Sequence, residues 1–226
     1  MSDLATDNLA DALQRYEIEL PTDQIEQLDR YRSVLWRENE KLNLTRHTTF
    51  EKFVTRDVVD SLALTRLLDI GESVLDLGTG GGVPGLILAI VRPDLRVTAC
   101  DSVAKRARAT AEIAAEIASP AQVLHASAQS LLESRRFDTI VVRAVAPLRK
   151  LLTWLQPHWD VFDQLLLIKG KNWVQERGEA RHLGLLGDLQ LRRVHTYETP
   201  GSGAENVVLR VCPRQDGHAD EDLETE

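Results

Sequence analysis

The chain has two cysteines in 226 residues, and no uninterrupted apolar run longer than LILAIV, from Leu86 to Val91. Cys100 and Cys212 form no CxxC pair, which excludes a disulfide scaffold and a thiolate metal site; no metal is expected. The apolar run falls far short of the roughly 20 residues that a membrane helix needs. A cleavable leader is not expected either, because the first twenty residues carry Asp3, Asp7, Asp11, Glu17 and Glu19 and no apolar segment. These absences point to a cytoplasmic protein with reduced thiols and no membrane contact. In that compartment the formal glycosylation triplet Asn43-Leu44-Thr45 has no meaning. Internal repeats and low-complexity linkers are lacking as well.

Positive charge is in deficit overall, with a formal net charge of -8, but the deficit is unevenly placed. Residues 1–29 hold eight acids and one base, and residues 214–226 hold six acids and one base. The body between them has 21 acids and 25 bases and is mildly basic. A basic body fits an RNA-facing surface or ordinary solvated helix faces equally well. The stretch QDGHADEDLETE has the polarity of a disordered acidic tail, assigned to residues 214–226.

Two rhythms alternate along the chain. Over residues 1–70 apolar residues recur at helical spacing: Ile25, Leu28, Tyr31 and Leu35 after a capping Thr22, then Phe50, Phe53, Val54, Val58 and Leu62. A second domain is assigned to residues 71–213, where from Ser73 on five strand-then-helix repeats begin with SVLDL, LRVTAC, AQVLH, FDTIVV and QLLLIK. Two further strands, LQLRRVHTY and ENVVLRVC, are separated by a short turn. This predicts a helical N-terminal extension on an α/β domain whose mostly parallel seven-stranded sheet contains one antiparallel strand.

VLDLGTGGGVPG, residues 74–85, joins the first strand to the first helix of this domain. Ligands of open parallel sheets bind beyond the carboxyl ends of the strands, where strand order reverses, so the loop is a candidate binding element. Its glycines allow positive φ and close approach of a ligand to the main chain, and Pro84 suits the first turn of the following helix. Asp101, closing the second strand, is placed to accept hydrogen bonds from both hydroxyls of a ribose. Read as Gly80-x-Gly82-x-x-Gly85, the loop matches the dinucleotide fingerprint. Read as Asp76-x-Gly78-x-Gly80-x-Gly82, it matches the loop of S-adenosylmethionine-dependent methyltransferases. The second reading also uses Asp76 as an acceptor near the cofactor's ammonium and accounts for the lack of Lys and Arg over residues 76–91. No Gly-Lys-Ser/Thr follows, which excludes a Walker phosphate loop.

Six ordered segments then narrow the choice: NEKLNLT from Asn39, DVVDS from Asp57, DLGTGGGVPG from Asp76, CDSVAKRAR from Cys100, VVRAVAPL from Val141 and LIKGK from Leu167. In order and spacing they resemble the glucose-inhibited division protein B, or RsmG, family over roughly residues 20–212. The resemblance implies a Rossmann-like class I methyltransferase that moves a methyl group from S-adenosylmethionine to N7 of a guanine in 16S ribosomal RNA of the small ribosomal subunit; separately, a monomer is expected. It places Asp76, Gly78, Thr79, Gly80 and Gly82 around the methionine part of the cofactor, Asp101 and Ser102 at the ribose, and Ala128 and Gln129 at the adenine. Arg143, ending the fourth strand, becomes the candidate catalytic residue beside the methyl group; the alternative for it is a surface arginine. Lys105, Arg106, Arg149, Lys150, Lys169 and Lys171 become candidates for holding RNA phosphates, or else solvated surface charges.

A guanine N7 lone pair lies in the ring plane and is unprotonated at neutral pH, so the implied reaction needs no general base; alignment and exclusion of water suffice. The chain departs from the family pattern at Asp57, where a His is usual, and at Ser127 and Glu205, where an Arg is usual. These departures leave open an S-adenosylmethionine-binding, RNA-associated protein with altered target or lost activity. A nicotinamide-dependent oxidoreductase is a more distant alternative.

Overall fold

The computed structural model describes residues 8–214. The acidic C-terminal stretch expected from its polarity lies outside the described residues from position 215 onward.

A single seven-stranded sheet organises the chain, in the order β3-β2-β1-β4-β5-β7-β6. The strands are β1 (Ser73–Leu77), β2 (Arg96–Asp101), β3 (Gln122–His125), β4 (Phe137–Arg143), β5 (Phe162–Gly170), β6 (Leu189–Thr199) and β7 (Ala204–Pro213). All neighbours pair in parallel except those of β7, which runs antiparallel to both β5 and β6. The tight β6–β7 turn returns the chain beside β6, and the other edge of β7 then completes β5. Strand order reverses between β1 and β4, so the glycine loop after β1 opens at the switch point.

Alternating side chains divide the core between the two faces of the sheet, because successive strand residues point to opposite sides. Ile140, Val142, Leu165, Leu167, Val207 and Leu209 pack with α8 (Leu148–Leu155) and α9 (Trp173–His182). Val74, Val97, Val141, Leu166 and Val208 pack on the opposite face with Leu64, Leu88 and Ala89, the last two on α5 (Gly85–Val91).

The N-terminal helices share this core. Helix α1 (Leu9–Arg15) precedes α2 (Thr22–Leu42), whose Leu28, Tyr31 and Leu35 join a buried cluster with Leu86 and Ile87 of α5 and Ile113 of α6 (Ala104–Glu116). Thr22 is the first helical residue and makes no capping bond; Pro21 occupies the cap position, where its missing amide hydrogen costs nothing. The next segment begins with α3 (Phe50–Lys52), capped by Thr49, widens through a π-helical stretch at Phe53–Val58, and continues as α4 (Val59–Thr65). Pro84 departs from the expected first-turn position: it precedes α5 as its N-cap residue, after a cis Val83–Pro84 peptide.

Candidate functional site

The glycine loop is tied to the fold through its own main chain. Gly78 and Thr79 amides both donate to the Cys100 carbonyl at 2.9 Å, joining the end of β1 to the end of β2. The Gly80 amide donates to Asp101 Oδ2 at 3.1 Å, while Thr110 of α6 donates its hydroxyl to the Gly80 carbonyl at 2.6 Å. The Tyr31 hydroxyl of α2 donates to the Gly81 carbonyl at 2.9 Å. Two glycines carry different demands. Gly80 holds φ at +59°, and a Cβ there would point into open space, touching nothing closer than the Gly78 carbonyl at 4.0 Å. Gly85 instead has no room: a Cβ would lie 2.6 Å from Asp76 Oδ2.

Both candidate cofactor carboxylates are built into the loop. Asp76 is 1% exposed and accepts the Gly85 amide at 2.9 Å. Burial raises its carboxyl to about pH 6, against the opposing pull of the Thr79 hydroxyl and the Gly85 amide. Thr79 Oγ1 and Asp76 Oδ1 are both buried, and neither makes a hydrogen bond of ordinary geometry among the described residues. Asp76 therefore braces the loop from behind. Asp101 accepts Gly80 N–H on one oxygen and Val103 N–H, at 2.8 Å, on the other. Each carboxylate oxygen has a second lone pair, so this bracing leaves Asp101 capacity for a ligand hydroxyl.

Two cavities meet at the end of β4. The first, about 200 Å³, is lined by Gly78, Thr79, Gly80 and Gly81 of the loop, by Leu35, Asn43, Leu44 and Thr45 from the N-terminal helical segment, and by Val83, Arg106, Arg143 and Ala144. The second, about 430 Å³, is lined by Arg56, Asp60, Val145, Ala146, Pro147, Ile168, Lys169, Gly170, Glu176 and Asn206. Arg143 and Ala144 line both, so the β4 terminus is the wall between two compartments. Ala144 makes the wall turn with φ +54°. Ala128 and Gln129 lie at the start of α7 (Ala128–Leu132), and Ser102 is exposed between β2 and α6; none of the three lines either cavity.

Arg143 is an internal residue. Its side chain is 17% exposed, and Nη1 lies 2.8 Å from Asp57 Oδ1 and 3.2 Å from Asp60 Oδ2. Burial alone would lower its pKa; the two carboxylates more than offset this, and the guanidinium is held above its ordinary value. Asp57 also meets His47 Nδ1 at 2.8 Å, and Asp60 accepts the Tyr197 hydroxyl at 2.7 Å. Burial raises the Asp60 carboxyl, opposed by Arg143 and Tyr197. The surface-arginine alternative is thus not what the structure has: Arg143 is pinned by two acids from the π-helical segment and α4.

The candidate phosphate contacts divide. Lys105, Lys150 and Lys171 are exposed, and Arg106 reaches the first cavity. Arg149 lies on the surface 3.9 Å from Glu179. Lys169 departs from the expectation of an outward-facing phosphate ligand: it is 12% exposed, and its Nζ donates to the Ala146 carbonyl at 3.0 Å and to Glu176 Oε2 at 2.8 Å.

Comparison with known proteins decides the family. Residues 24–202 match the pattern of the family described as rRNA small subunit methyltransferase G. The chain belongs to the rRNA small subunit methyltransferase G family. It is 52% identical over 186 residues to ribosomal RNA small subunit methyltransferase G of Rhodopirellula baltica, covering 82% of this chain and 80% of that protein. It is 33% identical over 205 residues to the protein of the same name from Halorhodospira halophila, covering 90% and 95%. The fold is also that of an O-methyltransferase from Bacillus cereus solved with SAH, with TM-score 0.59 and 14% identity over 90% of this chain and 97% of that one.

In this member of the methyltransferase G family, the three departures have separate physical settings. Asp57 is fully buried, paired with the Arg143 guanidinium and in contact with the His47 ring, each 2.8 Å from its Oδ1. Ser127 caps α7, accepting the Ser130 amide at 3.1 Å. Glu205 is exposed on β7 opposite Glu198 of β6. Sequence reasoning missed Asn43, Leu44 and Thr45 as cavity walls, although NEKLNLT had stood out as a motif. It also missed Arg56, Asp60, Glu176 and Asn206, which meet only after their elements pack together.

Proposed function

We propose that this chain transfers a methyl group from S-adenosylmethionine to N7 of a guanine in 16S ribosomal RNA, working as a monomer on the small ribosomal subunit. The observation that carries this reading is the pair of cavities with a common wall at Arg143 and Ala144, one lined by the glycine loop and the other by polar side chains. The first cavity fits the cofactor: Gly80 leaves open the space that a Cβ would fill, and Asp101, which does not itself line the cavity, is bonded to that glycine from the end of β2 with lone pairs to spare. Gly78, Thr79 and Gly80 would hold it, with Asp101 toward its ribose and with Asp76 keeping the loop in place.

S-adenosylmethionine, when bound, supplies a methyl group made electrophilic by the sulfonium. The chain's own contribution is placement. The Arg143–Ala144 wall would place the guanine edge next to the cofactor cavity, and Arg143, locked by Asp57 and Asp60, would keep that wall from shifting. A general base is not required, which accords with Asp60 having both oxygens already committed. Lys105, Arg106, Arg149, Lys150 and Lys171 would position the RNA backbone, which carries no sequence information by itself.

The test is transfer of labelled methyl from S-adenosylmethionine to undermethylated small subunits. Borohydride reduction and aniline cleavage, which cut RNA at 7-methylguanine, then locate the modified nucleotide. Transfer to a single guanine N7 is expected. Label in another base, in protein, or nowhere would refute the assignment.

A further inference from the structure

The second cavity holds two carboxylates, and only one of them has an unused oxygen. Asp60 gives one oxygen to the Tyr197 hydroxyl and the other to Arg143. Glu176, in the first turn of α9, accepts the Leu148 amide at 2.6 Å and Lys169 Nζ at 2.8 Å, both on Oε2. Its Oε1 has no hydrogen bond among the described residues. Lys169 Nζ, fixed by Glu176 and the Ala146 carbonyl, has three N–H groups and so keeps one to offer. A cation and a carboxylate thus stand side by side in the cavity wall, each held in place by main chain.

We infer that Glu176, paired with Lys169, reads the Watson–Crick edge of the target base and selects guanine over adenine. This rests on the proposed assignment of the second cavity to the RNA base. Guanine presents an acceptor, O6, next to two donors, N1–H and the N2 amino group. That polarity matches an ammonium beside a carboxylate. Adenine presents the reverse order, setting its N6 amino group against Lys169 and its N1 lone pair against Glu176. Contacts on O6, N1 and N2 also leave N7 uncovered, which a methyl transfer to that atom demands. Because the pair is already ordered, little freedom is lost on binding, and a charged acceptor strengthens each bond. A site built to bond a particular N–H rejects the analogue that lacks it, since its own polar group is then left unpaired.

The experiment compares guanosine with inosine, which keeps O6, N1–H and N7 but lacks the 2-amino group. Once the methylated position is mapped, 16S RNA is ligated around an oligonucleotide carrying either nucleoside there and reconstituted into small subunits. Single-turnover rates are then measured at saturating subunit. The native chain should favour guanosine by about tenfold, the effect of one hydrogen bond to a charged group. Glu176→Ala should bring the two rates within about twofold, chiefly by slowing guanosine. Glu176→Gln, which keeps an acceptor for the Leu148 amide but not the charge, should fall between. Circular dichroism and S-adenosylmethionine affinity should be unchanged in both.

If both variants slow guanosine and inosine equally and preserve the native preference, Glu176 only braces Leu148 and Lys169, and the inference is wrong. It is equally wrong if the native chain does not distinguish the two nucleosides, although methylation of guanosine would then leave the proposed function standing. Absence of methylation on guanosine subunits would remove the proposed function and this inference with it.

Discussion

Asp57→Asn tests whether the acid that departs from the family pattern belongs to the RNA surface or to the interior. Asp57 is fully buried, 2.8 Å from Arg143 Nη1 and 2.8 Å from His47 Nδ1. Removing one partner of a buried ion pair costs roughly 3–5 kcal/mol, because the remaining charge stays buried without its counter-ion. Asn keeps the shape, and Asp60, 3.2 Å from the same nitrogen, keeps part of the counter-charge, so the lower end, about 3 kcal/mol, is expected. With a urea slope of about 3 kcal/mol per molar for a chain of this size, the unfolding midpoint should drop by about 1 M. A double-mutant cycle with Arg143→Met isolates the pair: the double variant should lose less than the sum of the singles, by about 2 kcal/mol or more. RNA affinity should retain its native salt slope in Asp57→Asn. A midpoint within about 0.2 M of the native value, or additive effects in the cycle, would refute the internal clamp.

Gly80→Val should abolish S-adenosylmethionine binding by calorimetry while costing only about 1–2 kcal/mol of stability, because the strain is the positive φ alone and the side chain enters the open cavity. Normal binding would mean the loop is a turn and not a contact surface. Asp76, raised to about pH 6 from an ordinary 3.8, binds its proton in the folded state at a pH where the unfolded chain has lost it. Its contribution to stability therefore falls as pH rises from about 4 to about 6, by up to about 3 kcal/mol. Asp76→Asn should flatten urea midpoints across that window; an unchanged pH profile would mean that Asp76 is not held in the protonated form. Replacing the exposed Lys105, Lys150 and Lys171 together with Gln should weaken RNA binding alike for different sequences and lower the log-log salt slope by somewhat under one unit for each phosphate no longer neutralised. Unchanged slope would place the RNA on another face.

The strands were legible in the sequence because they follow a local rhythm: five apolar runs, four of them followed by a helix-length segment and the third by a short polar stretch, imply a mostly parallel sheet with crossovers. The final tight turn likewise requires an antiparallel strand, and the glycine loop announces itself by composition. The place of β7 was not legible, because pairing with β5 joins residues some forty positions apart through a hairpin whose register no local pattern records. The clamp on Arg143 was hidden for a related reason. In the sequence Asp57 stood out only as an acid where the family has a His, and Asp60 did not stand out; only the packing of the π-helical segment and α4 against the β4 end brings both onto one guanidinium. Lys169 shows the same limit: a lysine ending a strand reads as a surface charge until α9 sets Glu176 beside it. Composition and periodicity determine which groups a chain possesses and which elements carry them; which charges meet, and whether they face water or each other, was decided by the packing of elements distant in sequence.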